Sequence, residues 1–514
     1  MRELLRKFTD SNDRGAALML VGATLMLLMG MAAFGTDLGW FYLNSARVQR
    51  AADAAALGGV VWLPADDATA KTYAHSIAVQ NGYTNGTNAD VSPETDDDDN
   101  TLSQNELRVT VSAEVPTFFL KVFGFDSQRI TESAIAEYIP PLRLGSPANK
   151  FGNDPSCYST NSDCAGNFWA NIHGTRTDTR MGDAYSSYCE NGDGSNDSCD
   201  QNPQWRNTGY LYGLIPGASS VTIQTLDMNF HNESGGVSNA DQHRTGDHNN
   251  FCGDVAACVG QSVTINVYTP DPTPLDISDN VLACREVYDP VTQFDPDDDP
   301  PFNPSEWDYW DNVCGGSIDT SSAPDGIWVV QIVANAGNSR YTDTTAGNEN
   351  NSGLNRYSIR SSTGNIFALG DFSIYNNASG STTSFYLAEV PDYYAGKTFV
   401  IEMYDTGESA DTGTLQPVDP TGNVFDDGEC RIYSRDITDV NWTLQQTIAN
   451  GGNCQESVSP GEYNGRWLKF EMDIPPTYSC ADCWWKMDYV YTSAVNDTTT
   501  WRAYMIGNPI HLVP

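Results

Sequence analysis

The sequence predicts a mainly β ectodomain, made of β-sandwich or jelly-roll-like modules, on a long N-terminal transmembrane α-helix with a small α+β domain between them. Three observations carry this expectation. Ala16 to Gly35 is an uncharged, apolar run of twenty residues, and about 20 helical residues at roughly 1.5 Å each cross a hydrocarbon core of about 30 Å. Past residue 140, short segments alternate polar and apolar side chains among many Gly, Asn, Ser, Thr, Tyr and Trp, as half-buried strands and their turns do. All 12 cysteines lie between Cys157 and Cys483, the pattern of an exported domain held by local disulfides.

Size and charge bound the function. A chain of 514 residues exceeds what one hydrophobic core holds, so two to four units are expected. A net charge of -40 and a pI near 4.1 repel a phosphate backbone, so nucleic acid is excluded as a partner. The acidic surface keeps an exposed protein soluble or binds divalent cations.

Residues 1–15 read as a cytoplasmic tail, because Arg2, Arg6, Lys7 and Arg14 flank the apolar run and favour a cytoplasmic N-terminus with the bulk of the chain extracytoplasmic. Residues 16–35 read as a retained, single-pass membrane span. The run is longer than the roughly 7 to 15 residues of a signal-peptide core, and no small-x-small site follows it. Trp40, Phe41 and Tyr42 sit where amphipathic rings meet headgroups. No proline interrupts Ala16 to Val61, and NSARVQRAADAAALGG is rich in helix formers, so the helix is predicted to run on past the membrane. Leu38, Tyr42, Ser45, Gln49, Ala52 and Ala56 share one stripe at three-to-four spacing, the predicted packing face.

Arg14-Gly15 before the run, Asp37-Leu38-Gly39 and Tyr42-Leu43 after it, and Val48-Gln49-Arg50-Ala51-Ala52-Asp53-Ala54-Ala55-Ala56-Leu57 together resemble the Flp pilus-assembly TadE/G-like family, in particular its TadG-like N-terminal domain. QNGY from Gln80, LRVTVSAEV from Leu107, TFFLKVFGF from Thr117 and RITESAIAEY from Arg129 extend the likeness, so that it covers about residues 14–140. The resemblance implies that residues 36–140 form a helix extension plus a small α+β, pilin-like domain. It also implies a membrane-anchored accessory of a tight-adherence pilus or related secretion system, without catalysis. Two positions depart from family patterns. Leu20 stands where a prepilin substrate would carry Glu, which predicts that the span is kept. Asp319-Thr320-Ser321-Ser322-Ala323 ends in Ala where the metal site of a von Willebrand A domain would have Ser.

Ile139-Pro140-Pro141 ends the preceding strand and predicts a boundary. Residues 145–325 read as a β-rich disulfide module, with strands SVTIQTLDMNF from Ser220 and SVTINVYTP from Ser262. Its final part, Thr269 to Gly326, reads as a long acidic, irregular connection around FDPDDDPPFNP. Residues 326–514 read as a second β-sandwich module, where SFYLAEVPDYYAGKTFVIEMYDTG gives two successive strands joined by a turn. One larger split β domain is the other arrangement the same pattern permits.

Little in the sequence points to chemistry. Asp241, His243, Asp247 and His248 form the one local histidine cluster, but in a Gly- and Asn-rich stretch without zincin spacing. ENGDGSNDSCD at Glu190 to Asp200 and DPDDD at Asp295 to Asp299 resemble oxygen-rich calcium loops, although Cys189 occupies the opening ligand position of the first. Calcium is the one cofactor considered, in a structural role. Cys480 and Cys483 form a lone CxxC, read as a local bridge beside Trp484 and Trp485. No GxSxG, P-loop or dinucleotide fingerprint occurs, and no catalytic or cofactor-binding residue is expected. The expected function is a membrane-anchored accessory or assembly protein of a Tad (Flp)-type pilus or secretion system, with the lipid bilayer and the pilus components as partners. The alternative is a cell-surface adhesin, binding a glycan or protein, on the same anchor.

Overall fold

The computed structural model describes residues 14–64, 66–152, 167–173, 179–186, 202–226, 228, 262–271, 273–288, 310–324, 326–335, 354–379, 382–407, 409 and 411–513. The chain forms two compact units, Met1–Pro140 with Asn508–Pro514, and Pro141–Gly507.

The first unit is built on helix α1, Arg14–Val60, whose 47 residues extend for about 70 Å. Its apolar first half is exposed on all sides, and by length and composition α1 is able to cross a membrane. Helix α2, Asp67–Gln80, starts where the Asp66 carboxylate accepts the Thr69 N–H at 2.9 Å, and it stops at Asn81 and Gly82. Strands β1 (Ala89–Glu94), β2 (Glu106–Pro116) and β3 (Ser127–Tyr138) form an antiparallel sheet in that order. Alternation along β2 turns Leu107, Val109, Val111 and Ala113 toward the helices. There they meet Val48, Ala52, Ala55, Ala56 and Val60 of α1 and Ala70, Ala74 and Ala78 of α2. Small side chains let these backbones approach closely. A Cβ on Gly59 would lie 2.5 Å from Leu107 Cδ2 and 2.7 Å from the Ala70 carbonyl oxygen.

The fourth strand of this sheet comes from the other end of the sequence. Ile510–Val513 pairs antiparallel with β3, from Ile510 opposite Tyr138 to Val513 opposite Ile135. The Ile139 N–H donates to the Pro509 carbonyl at 2.8 Å, and His511 Nε2 lies 3.2 Å from a Glu137 carboxylate oxygen. The small domain predicted over 36–140 therefore also contains the C-terminal strand.

Among its described residues the second unit contains two antiparallel sheets, of 10 and 11 strands. Side chains from the two sheets interdigitate, as in a sandwich. Phe385 stacks edge-on against Trp501 at 4.9 Å, Phe399 against Trp485 at 5.3 Å, and the Tyr212 and Tyr357 hydroxyls share a hydrogen bond of 2.9 Å. The strands predicted in SFYLAEVPDYYAGKTFVIEMYDTG are Thr383–Glu389 and Thr398–Tyr404, one in each sheet, joined through the 3-10 turn Asp392–Tyr394.

Two expectations need correction. Strands on either side of residue 325 pair with each other in both sheets. Trp328–Asn335 lies between Tyr210–Ile215 and Ser262–Tyr268, and Leu354–Ser361 pairs with Ser220–Leu226. Residues 145–325 and 326–514 thus share their sheets instead of forming separate modules. Alternation tells which side chains face the core, but not which strand fills the neighbouring edge. The segment 269–326 also is not irregular throughout. Leu282–Tyr288 and Asp311–Asp319 are strands, one in each sheet, and the Cys284–Cys314 disulfide ties them together.

Candidate functional site

The chemistry-bearing groups of the first unit gather along α1 just past its apolar span. Asp37, two residues beyond Gly35, is fully buried. Its carboxylate accepts three backbone N–H groups, from Phe118 at 2.8 Å, Phe119 at 2.9 Å and Leu120 at 2.7 Å. These are the opening residues of the connection between β2 and β3, which coils into a 3-10 turn at Leu120–Phe123. Burial pushes the Asp37 carboxyl up, but the three N–H donors and Lys121 outweigh it and hold the group below the usual carboxylate range. Trp40 stacks edge-on against Phe118 at 5.3 Å, and the Arg47 guanidinium lies over the Trp40 ring at 5.7 Å. Further along, Ser45 hydrogen-bonds Glu132, and the Gln49 amide donates to Asp53 at 2.6 Å and to the Ser133 carbonyl at 3.3 Å.

The buried stripe of α1 is rotated from the predicted one. Ala52 and Ala56 are buried and Ser45 and Gln49 half-buried, but Leu38 and Tyr42 face outward, and Asp37 takes the inward position. Three-to-four spacing selected Leu38. A carboxylate satisfied by three amides is nevertheless at home in a buried site. The sequence signal for Asp37 is its place in Asp37-Leu38-Gly39, three consecutive positions of the family likeness.

The acidic expectations resolve differently. Asp241, His243, Asp247 and His248, the stretch Glu190 to Asp200 and Asp295 to Asp299 lie outside the described residues. Asp319 closes a local turn, accepting the Ser321 N–H at 3.0 Å. Asp67, Asp96 and Asp97 bring one carboxylate oxygen each within 4.8 Å of one another. Burial, Asp67 and Asp97 push the Asp96 carboxyl up, as closely spaced like charges do.

In the β unit the predicted Cys480–Cys483 bridge is present, together with Cys430–Cys454 and Cys284–Cys314, and no described cysteine is free. Trp169, Trp328, Trp467, Trp485 and Trp501 are buried, so these rings fill the core and have no face for sugar stacking. A cleft of ≈ 180 Å³ opens among Phe151, Phe168, Phe372, Phe385 and Tyr386, smaller than the roughly 300 to 1,000 Å³ of ligand sites. His173, missed in the sequence, is buried near Asp183 and Arg356, and among the described residues neither of its ring nitrogens has a hydrogen-bond partner. Burial, only partly offset by the Asp183 carboxylate, lowers its pKa to about 4.

The part of the chain that holds Asp37 and the alanine-rich stripe is the part that is similar to a known family. Residues 15–67 match the family model of putative Flp pilus-assembly TadE/G-like proteins. The TadE/G-like match takes in α1 from Gly15 onward and ends at the first residue of α2. The β unit lies wholly outside it. No curated protein matches the chain. Among solved structures, an infectious bursal disease virus Gt strain chain aligns at 12% identity over 69% of this chain and 81% of its own, with a TM-score of 0.09. A chain of the Gx strain aligns at 10% identity over 73% and 78%, also with a TM-score of 0.09. These scores are too low to assign a shared fold to the β unit.

Proposed function

We propose that the protein is a membrane-anchored accessory or assembly component of a Tad (Flp)-type pilus or related secretion system, presenting its β unit outside the cytoplasmic membrane. One observation carries the reading: residues 15–67, which match the TadE/G-like family, hold nearly all of the continuous helix Arg14–Val60, whose first half has the length and polarity of a membrane anchor. Its second half is packed into a folded domain through Ala51, Ala52, Ala55 and Ala56. Such a helix transmits position from the bilayer to the small domain it is packed into. The matched family is one of structural and assembly proteins, which supports assembly over catalysis. The three disulfides among the described residues of the β unit support an oxidising compartment for it, and hence a cytoplasmic N-terminus.

The test is co-purification of the full chain, from membranes of its own cells in mild detergent, with inner-membrane components of a Tad-type machine. Loss of surface pili or of secretion on deletion of the gene is the expected companion result. Normal pili and secretion in the deletion strain, with no such components recovered, would reject the reading. Binding of the β unit to a glycan array would then favour an adhesin on the same anchor.

A further inference from the structure

The connection that Asp37 grips carries an unusual surface. Within Thr117 to Phe125 the side chains of Phe118, Phe119, Val122, Phe123 and Phe125 are 47%, 46%, 79%, 74% and 62% exposed. Lys121 is its one charged residue, and it is also exposed. Contiguous exposed apolar groups of this kind mark a surface that is covered when the protein works.

Position along α1 identifies the cover. Asp37 is two residues past Gly35, about 3 Å along the helix axis from the end of the apolar run. Because its carboxylate holds the amides of Phe118, Phe119 and Leu120 directly, the loop cannot sit elsewhere than beside that end of the run. Thr117 closes the base of the loop, its N–H donating to the Asp126 carbonyl at 3.1 Å. Phe118 packs on Trp40, one of the rings expected at headgroup level. Any bilayer that covers the exposed residues up to Gly35 therefore reaches the loop. A single lysine among phenylalanines suits that depth, with the rings among acyl chains and the ammonium turned out to the phosphates.

We infer that the Thr117 to Phe125 loop is a second membrane contact, a lipid-inserted wedge clamped to α1 by Asp37, in addition to the transmembrane span. The inference rests on the anchoring part of the proposed function. Two attachments side by side resist rotation and tilt of α1, whereas a lone helix leaves both free. The wedge thereby fixes the orientation of the unit that α1 carries.

The test uses the full chain in vesicles of phosphatidylethanolamine and phosphatidylglycerol, with a photoreactive benzophenone side chain placed singly at three exposed positions. Leu28 reports the span, Phe123 the loop, and Tyr73 the far end of the same unit, where it stacks on Trp62. Lipid adducts at positions 28 and 123, at least fivefold above position 73, are expected. An adduct at 28 without one at 123, or a position 123 that links to protein instead of lipid, overturns the wedge and leaves the anchor standing. Absence of lipid at both 28 and 123 overturns the anchor and the wedge with it. Phe123 is mostly exposed, so its replacement leaves the fold intact.

Discussion

At the scale of single residues, Asp37 and His173 show how a buried ionisable group is accommodated in opposite ways. Asp37 stays charged because three amides point at it. An Asp37→Asn variant, with a neutral acceptor, is expected to raise amide exchange at Phe118, Phe119 and Leu120 at least several-fold, read as protection factors in detergent micelles. Since the folded carboxyl is depressed, its contribution to docking is present above the ordinary carboxylate range and is lost as pH falls through the folded value. Protection of the three amides should therefore survive at neutral pH and collapse in strong acid. His173 is buried uncharged, with its pKa lowered to about 4 from 6.5. The unfolded chain then binds more protons between those values, so stability falls with acidification across that window, by about 3 kcal/mol in total. His173→Gln removes the titrating group and should flatten the pH profile of the denaturation midpoint between pH 6.5 and 4. An unchanged slope would assign it to other groups.

At the scale of elements, α1 is decided by small residues. Gly59 has Leu107 and the Ala70 carbonyl within the space a methyl group would need. Gly59→Ala is expected to cost about 1 to 3 kcal/mol through overpacking, despite the better helix propensity of alanine, and a denaturant titration of the full chain reads it. Ending the chain after Gly507 removes the strand Ile510–Val513, the Pro509 carbonyl that accepts from Ile139, and His511 beside Glu137. The expected outcome is faster exchange along β3 and a lower unfolding midpoint for the N-terminal unit. Unchanged exchange in Ile135 to Tyr138 would count against a structural role for this strand.

At the scale of the whole molecule, the β unit is an insertion. The chain leaves the first unit at Pro140 and comes back to it at Asn508. Within the insertion, strands far apart in sequence alternate in both sheets, and the Cys284–Cys314 bridge joins a strand of one sheet to a strand of the other. Replacing both cysteines by serine is expected to lower stability by about 2 to 4 kcal/mol, measured as a shifted denaturation midpoint. Alkylation without reduction should leave Cys284, Cys314, Cys430, Cys454, Cys480 and Cys483 unlabelled.

Much of this was legible in the residues alone, where the signal is local. An uncharged run of twenty residues, an alanine-rich continuation without proline, and alternation in LRVTVSAEV each determine their own element, because helix and strand periodicity are properties of neighbouring residues. The bridge at Cys480 and Cys483 was legible for the same reason, its partners being 3 residues apart. What remained hidden depends on residues that meet only in space. Asp37 is a charged residue next to an apolar run until the amides of Phe118 to Leu120, more than 80 positions away, come to it. The strand Leu282–Tyr288 is masked by flanking Pro and Asp until Ser262–Tyr268 offers it an edge. Sequence alone thus determined the long apolar helix, the β character of the rest and the family likeness of the N-terminal segment. Tertiary structure alone decided which strands are neighbours, that Ile510–Val513 joins the sheet built by residues 89–138, and that a phenylalanine-rich loop lies beside the end of the apolar span. Backbone hydrogen bonds between distant strands, and side chains that cap distant loops, leave no periodic trace in the sequence that supplies them.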